Sequence, residues 1–117
     1  MKIMGNVIEE KSFQFAIQIV DLYKYLYDEK HEYVLSKQIL RAGTSIGANV
    51  AEAQQAQSRP DFLSKLSIAL KETSETKYWL KLLNATGYLT DTRFQLAIED
   101  CIELEKILVS IIKSLKN

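Results

Sequence analysis

The sequence contains few of the residues that interrupt helices or build reactive sites. Among its 117 residues are one proline, four glycines, one cysteine and one histidine. A β-rich domain usually needs more turn residues, so this scarcity favours long helices. A single cysteine excludes a disulfide framework within the chain and a zinc site made of several cysteines, and it is typical of a reducing compartment.

Neither sign of charge dominates. Lysine and arginine together number 15, aspartate and glutamate also number 15, and the formal net charge is zero. This balance excludes a strongly basic nucleic-acid protein, although it leaves room for a local basic patch. Apolar residues make up 47% and charged residues 26% of the chain, which is typical of a globular domain and not of a disordered tail. The length predicts one domain over residues 1–117.

Long apolar segments are also missing. No apolar run approaches the ~18 residues of a membrane span, and residues 1–11 lack the apolar core and cleavage site of a signal peptide. We therefore expect a cytoplasmic protein with no membrane partner.

Apolar residues recur at helical spacing in four segments. The first predicted helix, residues 12–28, has two apolar faces. One face contains Phe13, Ala16, Ile17, Val20, Tyr23 and Tyr27, and the other contains Phe15, Ile19, Leu22 and Leu26. A surface helix of a monomer normally has one apolar stripe, so we expect a neighbouring subunit to cover this helix. We assign the second face to that oligomer interface.

Three more helices are predicted downstream. The second covers residues 36–57, with Ser36 as its N-cap. The third follows a turn at residues 58–61, where Ser58 can cap, and runs to about residue 85, before Gly87. The fourth is capped by Thr90 and runs to about residue 116. Four helices of similar length with short connections predict an all-α fold, an antiparallel up-down-up-down four-helix bundle.

Motifs for chemistry are weak or missing. Residues 43–47 match the G-x-S-x-G nucleophile elbow, but that elbow needs a strand-to-helix turn and this segment has helical periodicity on both sides. The only histidine, His31, lies in a predicted loop, and there is no Glu-x-x-His motif for a di-iron site. No glycine-rich phosphate motif is present, and Cys101 lies on an apolar helix face. We therefore expect a protein that is not an enzyme, with no catalytic, metal or cofactor site and no small-molecule substrate.

Two sets of residues on the second and third helices are candidate interaction sites. A polar stripe on the second helix contains Gln38, Arg41, Ser45, Asn49 and Glu52. Serine and asparagine are poor helix formers, so the stripe indicates a polar network, a subunit interface or a contact with a ligand or nucleic acid. A candidate interface on the third helix contains Ile68, Glu72, Glu75, Trp79 and Leu82. The third helix also carries four lysines, at positions 65, 71, 77 and 81, which do not share one stripe and are a weak signal for phosphate binding.

The second helix also carries a recognisable motif. Residues 38–53 resemble the signature of the 23S ribosomal RNA intervening-sequence proteins, roughly Q-x-x-R-A-x-x-S-I-x-x-N-[IV]-A-E-[GA]. Ala53 stands where glycine is usual. The segment from Ser58 to Leu80 and the sequence Gly87-Tyr88-Leu89 are similar too, so the resemblance covers nearly the whole chain.

The resemblance implies an up-and-down bundle that assembles as a ring-like homopentamer, in a family with some ribosomal-protein labels and no established enzymatic activity. A related group, the accessory variability determinants of diversity-generating retroelements, binds nucleic acid through a basic surface. We therefore expect a homopentamer that binds structured RNA or a ribonucleoprotein. The alternative is a protein-interaction module whose partner docks on the ring without nucleic acid, favoured by the zero net charge and the apolar patch on the third helix.

Overall fold

The structure, a computed structural model, describes residues 5–116, with side chains from residue 7 onward. Residues 1–4, part of the segment in which the sequence predicts no signal peptide, lie outside this range. Four helices are present: α1 (Gly5–Asp28), α2 (Leu35–Ala53), α3 (Arg59–Ala85) and α4 (Asp91–Lys116). Residues 5–116 contain no strand, so the predicted all-α bundle is confirmed. None of these four helices combines the length and the apolar character that a membrane span requires.

Side-chain contacts give the relative direction of neighbouring helices. Between α2 and α3, Arg41 contacts Glu72 and Glu52 contacts Lys65, so the residue number increases along α2 as it decreases along α3. The same relation holds between α1 and α2, where Ile19 lies next to Gly43 and Ser12 next to Gly47. It also holds between α3 and α4, where residue 73 contacts residue 101 and residue 59 contacts residue 115. This is the order of contacts expected for antiparallel neighbours. The molecule measures 44 × 20 × 19 Å, and a 27-residue helix such as α3 is about 40 Å long, so the helices lie along the long axis.

The ends of α3 and the start of α4 follow the sequence signals. Ser58 Oγ accepts a hydrogen bond from the backbone N–H of Asp61 at 3.2 Å. At the other end, Gly87 has φ +85°, and the N–H groups of Gly87 and Tyr88 donate to the carbonyls of Asn84 and Leu83. This is the Schellman arrangement, which glycine favours because it has no Cβ. Thr90 Oγ1 accepts from the N–H of Arg93 at 3.3 Å, as predicted for a cap.

The prediction that Ser36 caps α2 is wrong. The helix begins at Leu35 with no side-chain cap on its N-cap residue Val34, and Ser36 lies inside its first turn. The carboxylate of Glu32 accepts the N–H of Ser36 at 2.7 Å instead. A charged acceptor one turn upstream satisfies this amide, which has no partner within the helix, and complements the helix dipole. The Ser36 hydroxyl is buried and has no partner among residues 7–116.

Two predicted helix boundaries also change. Helix α1 starts at Gly5, seven residues before the predicted start at Ser12. Helix α2 ends at Ala53 and not near Gln57, because the next three amides donate to carbonyls three residues back, as in a 3₁₀ turn. That tight turn directs the chain into α3.

The core is built from apolar residues of all four helices. The α2 residues Ile39, Ala42, Ile46 and Val50 are fully buried. On α1, however, the assignment of the two faces is wrong: the predicted oligomer face, Phe15, Ile19, Leu22 and Leu26, is buried in the core of the chain itself. The opposite face, with Phe13 and Ile17, is exposed. Both stripes have helical spacing, so periodicity could not decide which one the bundle covers.

Candidate interaction surfaces

The polar stripe on α2 and the candidate interface on α3 meet each other. Arg41 Nη1 lies 3.4 Å from Glu72 Oε1, and Arg41 Nη2 pairs with Glu75. Trp79 Nε1 donates to Glu75 Oε2 at 3.0 Å. The sequence left open whether the stripe pairs within one subunit. The structure places these contacts within one chain, as a network that joins α2 to α3.

The remaining polar residues of the stripe bond mostly to their own helix. Ser45 Oγ donates to the Arg41 carbonyl at 2.6 Å, and Asn49 Nδ2 donates to the Ser45 carbonyl at 2.8 Å. These bonds explain how poor helix formers are accommodated in mid-helix. Glu52 pairs with Lys65 on α3 at 3.0 Å, and this hydrogen bond and charge raise the pKa of Lys65. Gln38 is exposed at the start of the stripe.

The candidate interface on α3 is mostly covered by this network. Glu72 is only 9% exposed, and Trp79 and Leu82 are half-buried, while Ile68 is exposed. The patch therefore offers little apolar area to a partner. Its carboxylates and indole are used to hold α2 in register with α3.

The first apolar face of α1, which the sequence did not assign to the oligomer interface, contains the largest exposed apolar side chains of this helix. Phe13 is 64% exposed and Ile17 is 45% exposed. Phe13 borders a groove of about 910 Å³ between α1 and α2. The groove is otherwise lined by small residues and two carboxylates: Ala16, Thr44, Gly47, Ala48, Ala51, Glu9 and Glu10. The spacing of small residues on α2 was the sequence signal for it, because small side chains leave room beside a helix.

The segment that matches the G-x-S-x-G pattern and the single cysteine both have structural roles, as the sequence indicated. Ser45 lies within continuous helix α2, so the strained turn that an elbow needs is absent there. Cys101 is fully buried, and its Sγ donates to the Thr73 carbonyl at 3.4 Å. Burial raises the pKa of this thiol to about 12, so it is not an activated nucleophile. Within residues 5–116 no group of acidic, histidine or cysteine side chains is placed to hold a metal ion.

The tyrosine-rich end of α1 packs against the loop that follows it and against α4. The rings of Tyr27 and Tyr33 meet edge to face with centroids 4.7 Å apart, and His31 Nδ1 lies 3.1 Å from the Tyr33 hydroxyl. The Arg93 guanidinium of α4 stacks on the Tyr25 ring at 3.7 Å. These aromatic and cation–π contacts stabilise this end of the bundle.

Comparison with known proteins agrees with this fold. Residues 5–110 match the family model of the 23S rRNA-intervening sequence protein. The chain is also similar to a crystal structure of a protein with unknown function from the S23 ribosomal protein family of Bacteroides thetaiotaomicron. The two are 56% identical over 95% of this chain and 99% of the other, with a TM-score of 0.93. No curated protein matches the chain significantly. The chain thus belongs to the family of 23S rRNA-intervening sequence proteins.

Proposed function

We propose that this protein is a non-enzymatic homo-oligomer, a pentameric ring, that binds structured RNA or a ribonucleoprotein. The exposed apolar face of α1 carries the assembly part of the proposal. Phe13 and Ile17 are exposed on this face, and Phe13 borders the α1/α2 groove. Exposed apolar side chains next to a groove on a folded domain commonly mark protein interfaces. The family membership and its ribosomal RNA context support the RNA part.

The geometry of the bundle is compatible with a ring. Helices α1 and α3 lie diagonally across the bundle, with no Cα–Cα distance of 8 Å or less between them, so the exposed face of α1 and the outer face of α3 are separate surfaces. A contact between unlike faces of successive subunits generates a closed ring when the rotation closes. The α1 face supplies one half of such a contact.

Assembly is tested by light scattering of the purified protein at micromolar concentration. We expect a mass five times that of the 13.4-kDa chain. Phe13→Glu and Ile17→Glu should shift the mass toward the monomer, because each places a carboxylate in the apolar face. The matched control is Leu96→Glu, which changes an equally exposed apolar residue of α4 (60% exposed) and should leave the mass unchanged. A monomeric wild-type protein would refute the assembly.

RNA binding is tested with a labelled structured ribosomal RNA fragment, titrated at low and then physiological salt. Contacts to several phosphates predict affinity that falls steeply with salt, with a slope of about −0.9 per neutralised phosphate for a duplex. Absence of binding at low salt would refute this part. It would favour the alternative of a ring that docks a protein partner.

A further inference from the structure

The outer face of α3 carries a line of exposed residues that the interhelical network does not use. Ser67, Lys71, Ser74, Tyr78 and Lys81 follow one another at spacings of four, three, four and three, so they lie along one side of the helix. All five are exposed, and none is acidic. We call this line the outer stripe of α3.

The four α3 lysines divide into two pairs. Lys65 pairs with Glu52 of α2, and Lys77 pairs with Glu105 of α4 at 2.9 Å. Lys71 and Lys81 lie on the side of α3 between the one that faces α2 and the one that faces α4. No carboxylate of residues 7–116 is within ion-pair distance of either lysine. Two cations therefore point outward from a chain whose net charge is zero. The outer stripe of α3 therefore contains two cations and no carboxylate.

An aromatic ring lies between the two lysines. Tyr78 is 59% exposed, and its ring meets that of Trp79 edge to face, with centroids 5.1 Å apart and an interplanar angle of 73°. Trp79 is fixed in turn by its hydrogen bond to Glu75. Tyr78 is therefore a supported aromatic side chain in contact with solvent. The rise of about 1.5 Å per residue places Lys71 and Lys81 about 15 Å apart, with Tyr78 between them.

We propose that the outer stripe of α3 binds an unpaired segment of RNA. Lys71 and Lys81 contact phosphates, and Tyr78 stacks on a base between them. A positively charged track with an aromatic platform is the usual chemistry for single strands, because only unpaired bases expose their faces for stacking. The inference rests on the proposed function of RNA binding and identifies the surface that carries it.

The experiment measures fluorescence anisotropy of a labelled uridine-rich single strand, with an RNA duplex of equal length as competitor. The variant Lys71→Gln/Lys81→Gln should bind more weakly and lower the salt slope by about 1.4, at ~0.7 per phosphate contact on a single strand. Tyr78→Ala should weaken binding about 5- to 150-fold, the effect of one lost stack, and leave the salt slope unchanged. Tyr78→Phe should bind as the wild type does.

The matched control is Lys106→Gln/Lys113→Gln, which removes two exposed lysines from the outer face of α4. Thermal unfolding and oligomer mass are recorded for every variant, so that loss of fold or assembly is separated from loss of the site. We expect the control to bind nearly as well as the wild type.

Several outcomes would overturn the proposal. Equal losses from the α3 and α4 variants would show diffuse attraction without a site, and unchanged binding in the α3 variants would place the RNA elsewhere. Dissociation of the oligomer by the α3 lysine variant would assign the stripe to a subunit interface. Stronger competition by the duplex than by the single strand would contradict the stacking role of Tyr78. If the wild-type protein binds no RNA, the proposed function fails together with this one.

Discussion

Replacing Gly43 with alanine tests how closely α1 and α2 approach. A Cβ at Gly43 would lie 2.7 Å from Ile19 Cγ1, 2.8 Å from Cγ2 and 3.0 Å from Cδ1. Ile19 is fully buried, and its branched side chain has one strongly preferred rotamer in a helix. The clash can therefore be relieved only by separating the two helices or by moving Ile19 off its rotamer.

The expected magnitude follows from two opposing effects. Alanine is favoured over glycine in a helix interior by about 1 kcal/mol. Overpacking a well-packed core costs about 1–3 kcal/mol, and three contacts at or below 3.0 Å place Gly43→Ala at the upper end. We expect a net loss of about 2 kcal/mol in the free energy of unfolding. For 117 residues this lowers the Tm by about 8 °C, since the unfolding entropy is ~2.1 cal/mol/K per residue.

Gly47→Ala is the matched control, one helical turn away on α2. A Cβ there would lie 3.2 Å from the Ser12 carbonyl oxygen and 3.4 Å from its carbon, so a small adjustment of the backbone can accommodate it. The gain in helix propensity and the tighter contact nearly offset each other, and we expect a change within about 1 kcal/mol.

The assay is urea unfolding followed by circular dichroism at fixed protein concentration, because assembly also stabilises the folded state. Ile19→Ala removes the three clashing atoms and itself costs about 2–5 kcal/mol. In that background Gly43→Ala should become neutral or stabilising, a coupling that a double-mutant cycle isolates. If Gly43→Ala alone were as stable as Gly47→Ala, the argument from close approach would be refuted.

Three further substitutions test individual sites in the fold. Gly87→Ala should lower the free energy of unfolding by about 1–2 kcal/mol, because Gly87 has φ +85° and a side chain is strained in the left-handed region. Gly87→Asn should cost less. Equal thermal stability of the wild type and Gly87→Ala would contradict this. Ser36→Ala should stabilise the protein by about 1 kcal/mol in a urea titration, because it removes a buried hydroxyl that has no partner among residues 7–116. If Ser36 were a helix cap, the same substitution would be destabilising. Cys101 should react with a thiol reagent at pH 8 only as fast as the protein unfolds, because burial raises its pKa from 9.0 to about 12. The stability that the neutral thiol contributes is present below pH ~9 and lost as the pH rises toward 12, so the difference between the wild type and Cys101→Ala should change only above pH ~9.

Sequence patterns predicted those features that depend on one helix at a time. The predicted helix ends were confirmed at the caps Ser58 and Thr90 and at Gly87, which follows the end of α3. Each of these residues bonds to backbone within a few residues of itself. The predicted start of α2 was wrong for a related reason. Ser36 has the preferred cap residue type, but the helix begins one residue earlier, at Leu35, and the carboxylate of Glu32 accepts the N–H of Ser36. Local signals identify candidates, and competition among neighbouring side chains decides between them.

The assignment of the α1 faces depended on information that one helix does not contain. Two apolar stripes at the same period are equivalent until the rotation of α1 against α2 and α4 is known. In the structure Ile19 packs directly against Gly43, where a Cβ would lie within 3.0 Å of it. The stripe containing Ile19 is then buried, and Phe13 is left outside. The small residues on α2 were visible in the sequence, but their partner on α1 was not.

The same reasoning applies to charge. A formal net charge of zero weakens the case for an RNA-binding protein only if all charges are equally available. Here Arg41, Lys65 and Lys77 are held by carboxylates of neighbouring helices, so they stabilise the bundle and add little to the field outside it. Lys71 and Lys81 lie on the outer side of α3, where no carboxylate of residues 7–116 is within ion-pair distance. The distribution of charge over the α3 surface, and not its sum over the chain, therefore determines whether a polyanion can bind.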